Sequence, residues 1–406
     1  LVAFLKKDEI LNPFIRVNHQ YLSVLKGNME EKTFLILGGY GTTGRIISRL
    51  LLQETDCHLV LAGRSHEKAV NVVAEHNAAF EGQRVSARVV DAADVASLEA
   101  ALEGVDFLVL ASSTAQYTGG IAKVALAAGV DYLDLQYSKE KLAILQEIEQ
   151  EIKEAGRYFI TDGGFHPGLP AVLVRYSAGF FDQLTAANVG SVIKVDWSSL
   201  SLSESTYLEF LDEIHGYESL VFKEGQWVKT RMQGMMDIIT MDFGAPFGEQ
   251  YCVPMFLEEM RPLPELYPSL RETGFFVGGF NWFVDWVVFP LAMAALKFFP
   301  RRARKPCGRL LIWGLNAFSK PPYGTVLKLE AQGIKDAQLH SLSLSLSHED
   351  GYVLTAIPVV ACLLQYLDGS LPEPGLWTQA NIVDPERMLR DVGRLGVVVG
   401  VQESEG

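Results

Sequence analysis

The sequence predicts an α/β protein: a Rossmann-type doubly wound parallel sheet followed by a second, α+β domain of mixed sheet. Three observations predict it. Between Thr33 and Asp162, apolar runs of strand length alternate with segments of helical period, the rhythm of a parallel sheet with crossover helices. The first run, Phe34 to Leu37, leads straight into Gly38-Gly39-Tyr40-Gly41-Thr42-Thr43-Gly44 and then a helical pattern. Beyond Pro170 the alternation gives way to β-rich stretches interleaved with longer helices.

In order, strands are expected at Phe34 to Leu37, His58 to Ala62, Val85 to Val90, Phe107 to Ala111, Tyr132 to Leu135 and Tyr158 to Thr161. Helices able to turn an apolar face onto the sheet are expected at Thr42 to Gln53, Glu67 to Glu75, Val95 to Leu102, Gly120 to Ala128 and Lys139 to Ala155. The second domain shows β-rich stretches at Val189 to Val195, Leu220 to Val228, Thr325 to Ala331 and Leu339 to Ser347. Ile357 to Leu367 follows, and a closing helix starts at the cap-like Asp384-Pro385 and stops near Gly396. The expected organisation is an N-terminal extension over 1–30, read as upstream of a start at Met29; a dinucleotide-binding domain over 31–165; an α+β substrate and dimerisation domain over 166–355; and a segment over 356–406 that returns to the first domain.

Composition excludes several classes. The chain has 406 residues, 49% hydrophobic and 21% charged, which is globular rather than disordered. A formal charge of −14, from 35 basic and 49 acidic residues, gives no general attraction for a polyanion, so no nucleic-acid partner is expected. Cys57, Cys252, Cys307 and Cys362 stand far apart, without a C-x-x-C pair, which argues against a disulfide framework and a cysteine zinc site. The histidines are scattered, and no metal is expected. Residues 1–28 carry charges without an apolar block and do not read as a secretory signal, so a cytoplasmic location is expected.

The glycine-rich turn carries the chemistry. Gly39-x-Gly41-x-x-Gly44 gives a tight turn, lets backbone approach a pyrophosphate and brings the helix close to the strand, while Tyr40, Thr42 and Thr43 complete the loop. A P-loop is excluded because Arg45-Ile46 stands where Lys-[Ser/Thr] would be needed. About 20 residues beyond the motif, where an acidic residue would bind the ribose of NAD, the chain has Arg64. A guanidinium there suits a 2′-phosphate, with Ser65 as a donor and Lys68 as a second cation, so NADP (NADPH) is the expected cofactor. The alternative is a solvated helix start. Asp91, after the third strand, either contacts the adenine or makes a turn; Ser112, Ser113 and Thr114, after the fourth, are expected beside the nicotinamide half.

Two residues are candidates for the proton chemistry of a hydride transfer. His166 follows the sixth strand within Gly163-Gly164-Phe165-His166-Pro167-Gly168 and either shuttles a proton, holds a substrate carboxylate or carbonyl, or braces the turn. Tyr117 either donates to a substrate oxygen or packs. Tyr137-x-x-x-Lys141 imitates the Tyr and Lys pair of short-chain dehydrogenases and is read as coincidence, because the serine of that family is absent upstream.

Taken together, GGYGTTG, AGRSHEK, VDAAD, ASSTAQY, GVDYLDL and GGFHPGLP resemble the saccharopine dehydrogenase family, in particular its saccharopine dehydrogenase-like oxidoreductase branch. The likeness covers about residues 30 to 175 and returns at Glu349-Asp350-Gly351-Tyr352, the helix after it and the Pro374-Gly375-Leu376-Trp377 turn. It implies an NADP-preferring Rossmann domain, a second domain for substrate binding and homodimerisation, and a C-terminal segment that rejoins the first domain. It further implies hydride transfer to or from a C=N, C=C or C=O bond of a small or lipid-like metabolite. True saccharopine reductases commonly carry Asp where this chain has His166, a departure that speaks against a saccharopine-like substrate.

A second feature lies outside the resemblance. Thr273 to Leu296 holds one charge, Asp285, among Phe275, Phe276, Phe280, Trp282, Phe283, Trp286 and Phe289, and is followed by Arg301, Arg302, Arg304, Lys305 and Arg309. Two readings of the apolar segment 273–299 follow: one face of a buried or dimer-forming helix, or peripheral contact with a membrane surface. The second makes a non-catalytic, membrane-associated dinucleotide-binding protein the rival to an oxidoreductase.

Overall fold

The computed structural model describes residues 31–199, 208, 211, 218–230 and 237–405; the expected extension over 1–30 lies outside them. Two compact units are present. The first comprises the chain up to Val172 together with Tyr352–Val397, and the second comprises Leu173–Gly351 with the chain from Val398.

The first unit is a seven-stranded parallel sheet. Its strands in chain order are β1 (Thr33–Leu37), β2 (His58–Gly63), β3 (Val85–Val89), β4 (Phe107–Leu110), β5 (Asp131–Asp134) and β6 (Tyr158–Thr161), with Gly375–Thr378 added at the end. Across the sheet the order is β3-β2-β1-β4-β5-β6 and then Gly375–Thr378, so the direction of winding reverses between β1 and β4, the switch point of a doubly wound fold. Strands covered on both faces need unbroken apolar runs, and Phe34 to Leu37 and Phe107 to Leu110 are all buried.

The crossover helices are α1 (Thr42–Glu54), α2 (His66–Ala79), α3 (Val95–Leu102), α4 (Thr118–Ala127), α5 (Lys139–Glu147) and α6 (Glu149–Glu154), and α3 to α6 share one core cluster with the sheet. The expected single helix over Lys139 to Ala155 is two helices, because Ile148 leaves helical geometry (φ −110°, ψ 12°) while its side chain stays in the core. Gly351–Leu367, a helix beginning six residues before its expected start, contributes thirteen buried residues. Its Tyr366 ring meets Phe107 edge-on at 4.6 Å and its hydroxyl donates to Asp131 Oδ2 at 2.7 Å. Pro374 to Trp377, expected as a turn, supplies a strand whose Leu376 lies opposite Phe159.

The second unit is a nine-stranded mixed sheet in the order Ile239–Asp242, Glu249–Met255, Glu272–Gly278, Gln183–Lys194, Gly324–Lys335, Gln338–His348, Val398–Glu405, with a hairpin paired to Glu272–Gly278. That hairpin occupies the β-rich stretch expected over Leu220 to Val228. Glu224 (φ 51°) and Gly225 (φ 84°) form a two-residue turn between Leu220–Lys223 and Gln226–Lys229, the positive dihedrals that tight hairpins require. The returning segment 356–406 also divides: residues to Val397 belong to the first unit, whereas Val398–Glu405 pairs with Gln338–His348 in the second.

The apolar segment 273–299 is not one helix. Glu272–Gly278 is a sheet strand with Phe275 and Phe276 buried. Val284–Val288 is a π-turn, followed by the helices Phe289–Phe298 and Pro300–Phe318. Val284, Val288, Ala292, Leu296, Leu311 and Leu315 form their shared core. No helix among the described residues is long and apolar enough to cross a membrane.

Asp285 sits at this break, its Oδ1 accepting the N–H of Phe280 at 3.0 Å. Burial raises its pKa from 3.8 to about 6, against the lowering effects of that bond and of Lys194. A folded-state pKa above the unfolded one means that stability falls as pH rises from about 4 to about 6. Asp285→Asn keeps the acceptor and removes the charge, so thermal unfolding at pH 7.5 is expected to show a gain of about 2 kcal/mol and a flatter dependence between pH 4 and 6. A variant melting below wild type at pH 7.5 would contradict this.

Candidate functional site

The carboxyl ends of β1, β2, β4, β5 and β6 form one edge, and the sequence places its unusual residues there. The turn after β1 is held by its own backbone: Gly38 N–H donates to Ala62 O at 2.8 Å, Gly39 N–H to Ile36 O at 3.0 Å and Gly41 N–H to Gly38 O at 2.8 Å. Gly38 adopts φ +90°, and a Cβ on it would stand 2.6 Å from Ala111 O. A Cβ on Gly44 would stand 2.3 Å from Gly38 O. A larger residue at Gly38 would collide with the chain after β4, and one at Gly44 would force α1 away from the turn after β1. The helix is uncapped by any side chain, so the N–H groups of Thr42, Thr43 and Gly44 in its first turn have no intrahelical acceptor. That cradle fits a diphosphate, which needs close backbone approach and N–H donors at a positive helix end.

At the end of β2, Tyr40 lies against Gly63, where a Cβ would meet its ring carbons and hydroxyl at 2.6 to 2.8 Å. Its hydroxyl accepts the N–H of Ser65 at 3.1 Å. Ser65 caps α2, its Oγ accepting from Lys68 N at 3.4 Å. Arg64 and Lys68 are exposed, leaving two cations beside the helix start. Asp91 has a turn role: its Oδ1 accepts the N–H of Ala93 at 3.0 Å.

On the other side of the switch point, Ser112 Oγ and Thr114 Oγ1 are 3.4 Å apart beyond β4, and Ser113 lies between them. Gln136, beyond β5, donates from Nε2 to Ser112 O and to Thr114 Oγ1, the latter at 3.0 Å. Tyr117 ends the 3₁₀ turn Ala115–Tyr117, is 38% exposed and has no side-chain hydrogen bond among the described residues.

Lys141 is the residue that the sequence reading set aside. Its side chain is fully buried, and Nζ donates to Asp134 Oδ1 at 2.6 Å, to Asp162 Oδ1 at 2.8 Å and to Gln136 O. Burial alone would lower its pKa, but Asp134 and Asp162 outweigh burial and raise it. Tyr132 Oη donates to Asp134 Oδ2 at 2.9 Å, and Thr161 Oγ1 to the same carboxylate at 3.0 Å. The signal in the sequence was the pair of aspartates ending β5 and following β6, which need a cation if both are buried. Asp162 has φ +57°, a conformation uncommon outside glycine, and turns the chain toward His166.

His166 stacks on Phe165 with ring centroids 4.1 Å apart. Desolvation lowers its pKa from 6.5 to about 4, although the ring keeps some exposure. With that shift the imidazole is neutral at neutral pH and serves as a hydrogen-bonding group.

Residues 34–160 match the family model of the saccharopine dehydrogenase NADP-binding domain. Over these residues the first unit is similar to a saccharopine dehydrogenase-type NADP-binding domain. NADP(H) is the cofactor of such a domain. Among solved structures, apo saccharopine dehydrogenase (L-Glu forming) from Saccharomyces cerevisiae is 15% identical, with 92% of this chain and 100% of that chain covered and a TM-score of 0.67. DAP dehydrogenase of C. glutamicum with DAP is 14% identical over 89% and 96% of the two chains, TM-score 0.42. An engineered D-amino acid dehydrogenase bound to NADP+ is 14% identical over 88% and 96%, TM-score 0.44. At these identities the yeast likeness shows the fold. No curated protein matches the chain in sequence.

A histidine whose folded pKa lies below its unfolded value binds protons better unfolded, so its contribution is complete above about pH 6.5 and is lost as pH falls toward 4. His166→Gln is expected to reduce acid destabilisation over that interval by about 2 kcal/mol. In the wild type, the imidazole NMR shifts of His166 are expected to stay constant from pH 8 to pH 5. A titration midpoint near 6.5 would refute the neutral assignment.

Proposed function

We propose that the protein transfers hydride between NADP(H) and a C=N, C=C or C=O bond of a small or lipid-like metabolite. The observation that carries this reading is the backbone cradle at Gly38 to Gly44, with Arg64, Ser65 and Lys68 at the neighbouring strand end. When bound, the cofactor supplies or accepts the hydride. The chain's own residues bind the diphosphate with backbone N–H groups, select the 2′-phosphate with Arg64 and Lys68, and orient the reacting half from the ends of β4 to β6. A neutral His166 is suited to donate a hydrogen bond to a developing negative charge on substrate; Tyr117 is the second candidate for that role.

For this cofactor assignment, Arg64→Asp is expected to lower the preference for NADPH over NADH at least tenfold in titration. An unchanged preference would remove Arg64 from the site. Purified protein oxidising NADPH with one of a panel of imines, keto acids and enoyl lipids supports the enzyme reading. Tight NADPH binding without hydride loss across the panel supports the non-catalytic rival.

Exposure of the helical hairpin favours peripheral membrane contact over a buried role for the apolar segment. Trp282 (61% exposed), Trp286 (55%), Phe298 (71%) and Phe299 (61%) face solvent. Phe289–Phe318 carries six basic residues, Lys297, Arg301, Arg302, Arg304, Lys305 and Arg309, and no acidic one, within a chain of net charge −14. Aromatics with clustered cations suit an anionic lipid surface. In flotation with phosphatidylserine vesicles, Phe298→Ser/Phe299→Ser is expected to reduce binding at least tenfold, and phosphatidylcholine vesicles to bind weakly. A dimer that this double variant dissociates, with no vesicle binding by wild type, supports the homodimer reading instead.

A further inference from the structure

Gln136 has one polar atom that the fold does not use. Its Nε2 donates to the Ser112 carbonyl and to Thr114 Oγ1. Because a carbonyl oxygen only accepts, the amide must present its nitrogen on that side. Its Oε1 then points the other way, where it is buried and has no hydrogen-bond partner among the described residues. A buried acceptor left unsatisfied costs about 1–3 kcal/mol, so an orphan held in place by four other bonds calls for an external donor. Those bonds are the two from Nε2, the Gln136 N–H to Asp134 Oδ1 at 3.2 Å, and the Lys141 ammonium on the Gln136 carbonyl.

Its position indicates which donor. Gly38 abuts Ala111 and Ser112 at the end of β4, and Gln136 is bonded to that same segment from the end of β5. Gln136 is therefore across the switch point from Arg64 and Ser65 at the end of β2. A dinucleotide laid over the edge with its adenosine toward β2 brings its other half toward β4 and β5. The N–H donor of that half is the carboxamide of nicotinamide.

We propose that Gln136 is a cofactor-recognition residue whose Oε1 accepts a hydrogen bond from the nicotinamide carboxamide NH₂, with Lys141 as a positioning residue that fixes the Gln136 backbone. This rests on the reading of the first unit as an NADP-binding domain. Ser112 and Thr114 thereby act on the cofactor through Gln136, by fixing the sense of its amide.

The test crosses a change in the protein with a change in the ligand, using the full chain and calorimetric titration. The ligands are NADP+, its 3-acetylpyridine analogue, which has a methyl ketone in place of the carboxamide and so no N–H, and 2′,5′-ADP, which has no nicotinamide half. Wild type is expected to bind NADP+ about two- to twelvefold more tightly than the analogue, the range for one neutral hydrogen bond. Gln136→Met is expected to abolish that difference and to leave 2′,5′-ADP affinity unchanged. Lys141→Arg, retaining the cation, is expected to keep most of the discrimination, and Lys141→Met to lose it. Equal weakening of NADP+ and the analogue by Gln136→Met would point to a ribose hydroxyl and overturn the assignment. No discrimination by folded wild type, which needs no variant, would overturn it equally. Wild type that binds 2′,5′-ADP but shows no effect at Gln136 refutes this proposal alone, whereas wild type that binds none of the three ligands refutes the NADP reading beneath it.

Discussion

The steric constraint at Gly38 and Gly44 governs the first unit. Helix α1 begins so close to the end of β1 that a single methyl group on Gly44 would fall 2.3 Å from the Gly38 carbonyl, well inside van der Waals contact. That approach brings the uncapped amides of the helix to the middle of the sheet edge, next to the switch point, instead of displacing them into solvent. Everything at the site is measured from there. In the proposed binding mode the end of β2 holds the adenosine side and the ends of β4 to β6 the reacting side.

Much of the first unit was legible because its strands are buried on both faces. A run such as Phe34 to Leu37 or Phe107 to Leu110 leaves little room for another reading, and the glycines between strand and helix fix the direction of the chain. The boundaries that moved were those where two local solutions have similar energy. Ile148 could continue a helix or break it with its side chain in the same core, and Glu224-Gly225 divides a β-rich stretch into a hairpin with dihedrals that periodicity does not register. The apolar segment misled for a related reason. Composition cannot tell a strand buried in a sheet from a helix, and Gly278-Gly279 separates the buried Phe275 and Phe276 from the exposed Trp282 and Trp286.

The residues missed at the site share another property: their roles depend on partners far away in sequence. Lys141 reads as one more basic residue on an amphipathic helix until Asp134 and Asp162 are brought to it from the ends of two strands. Gln136 carries no motif at all. His166 was legible as a position but not as a chemical state, since the desolvation that lowers its pKa to about 4 is a property of the packed surroundings.

The Lys141 cluster is better understood as a positioning device than as a source of stability. An ammonium and two carboxylates taken out of water lose hydration that their mutual attraction only partly returns, and a well-packed apolar replacement of all three would be comparably stable. What such a replacement could not do is fix directions. The ammonium touches Asp134 at the end of β5, Asp162 after β6 and the Gln136 carbonyl at once, and removing it would leave two buried carboxylates facing each other. Asp162 is thereby held at φ +57° at the start of the turn to His166, while Gln136 is held against Ser112 and Thr114. One buried charge therefore couples the loop beyond β4 to the turn beyond β6, across the stretch of sheet edge proposed to align the reacting half of a dinucleotide.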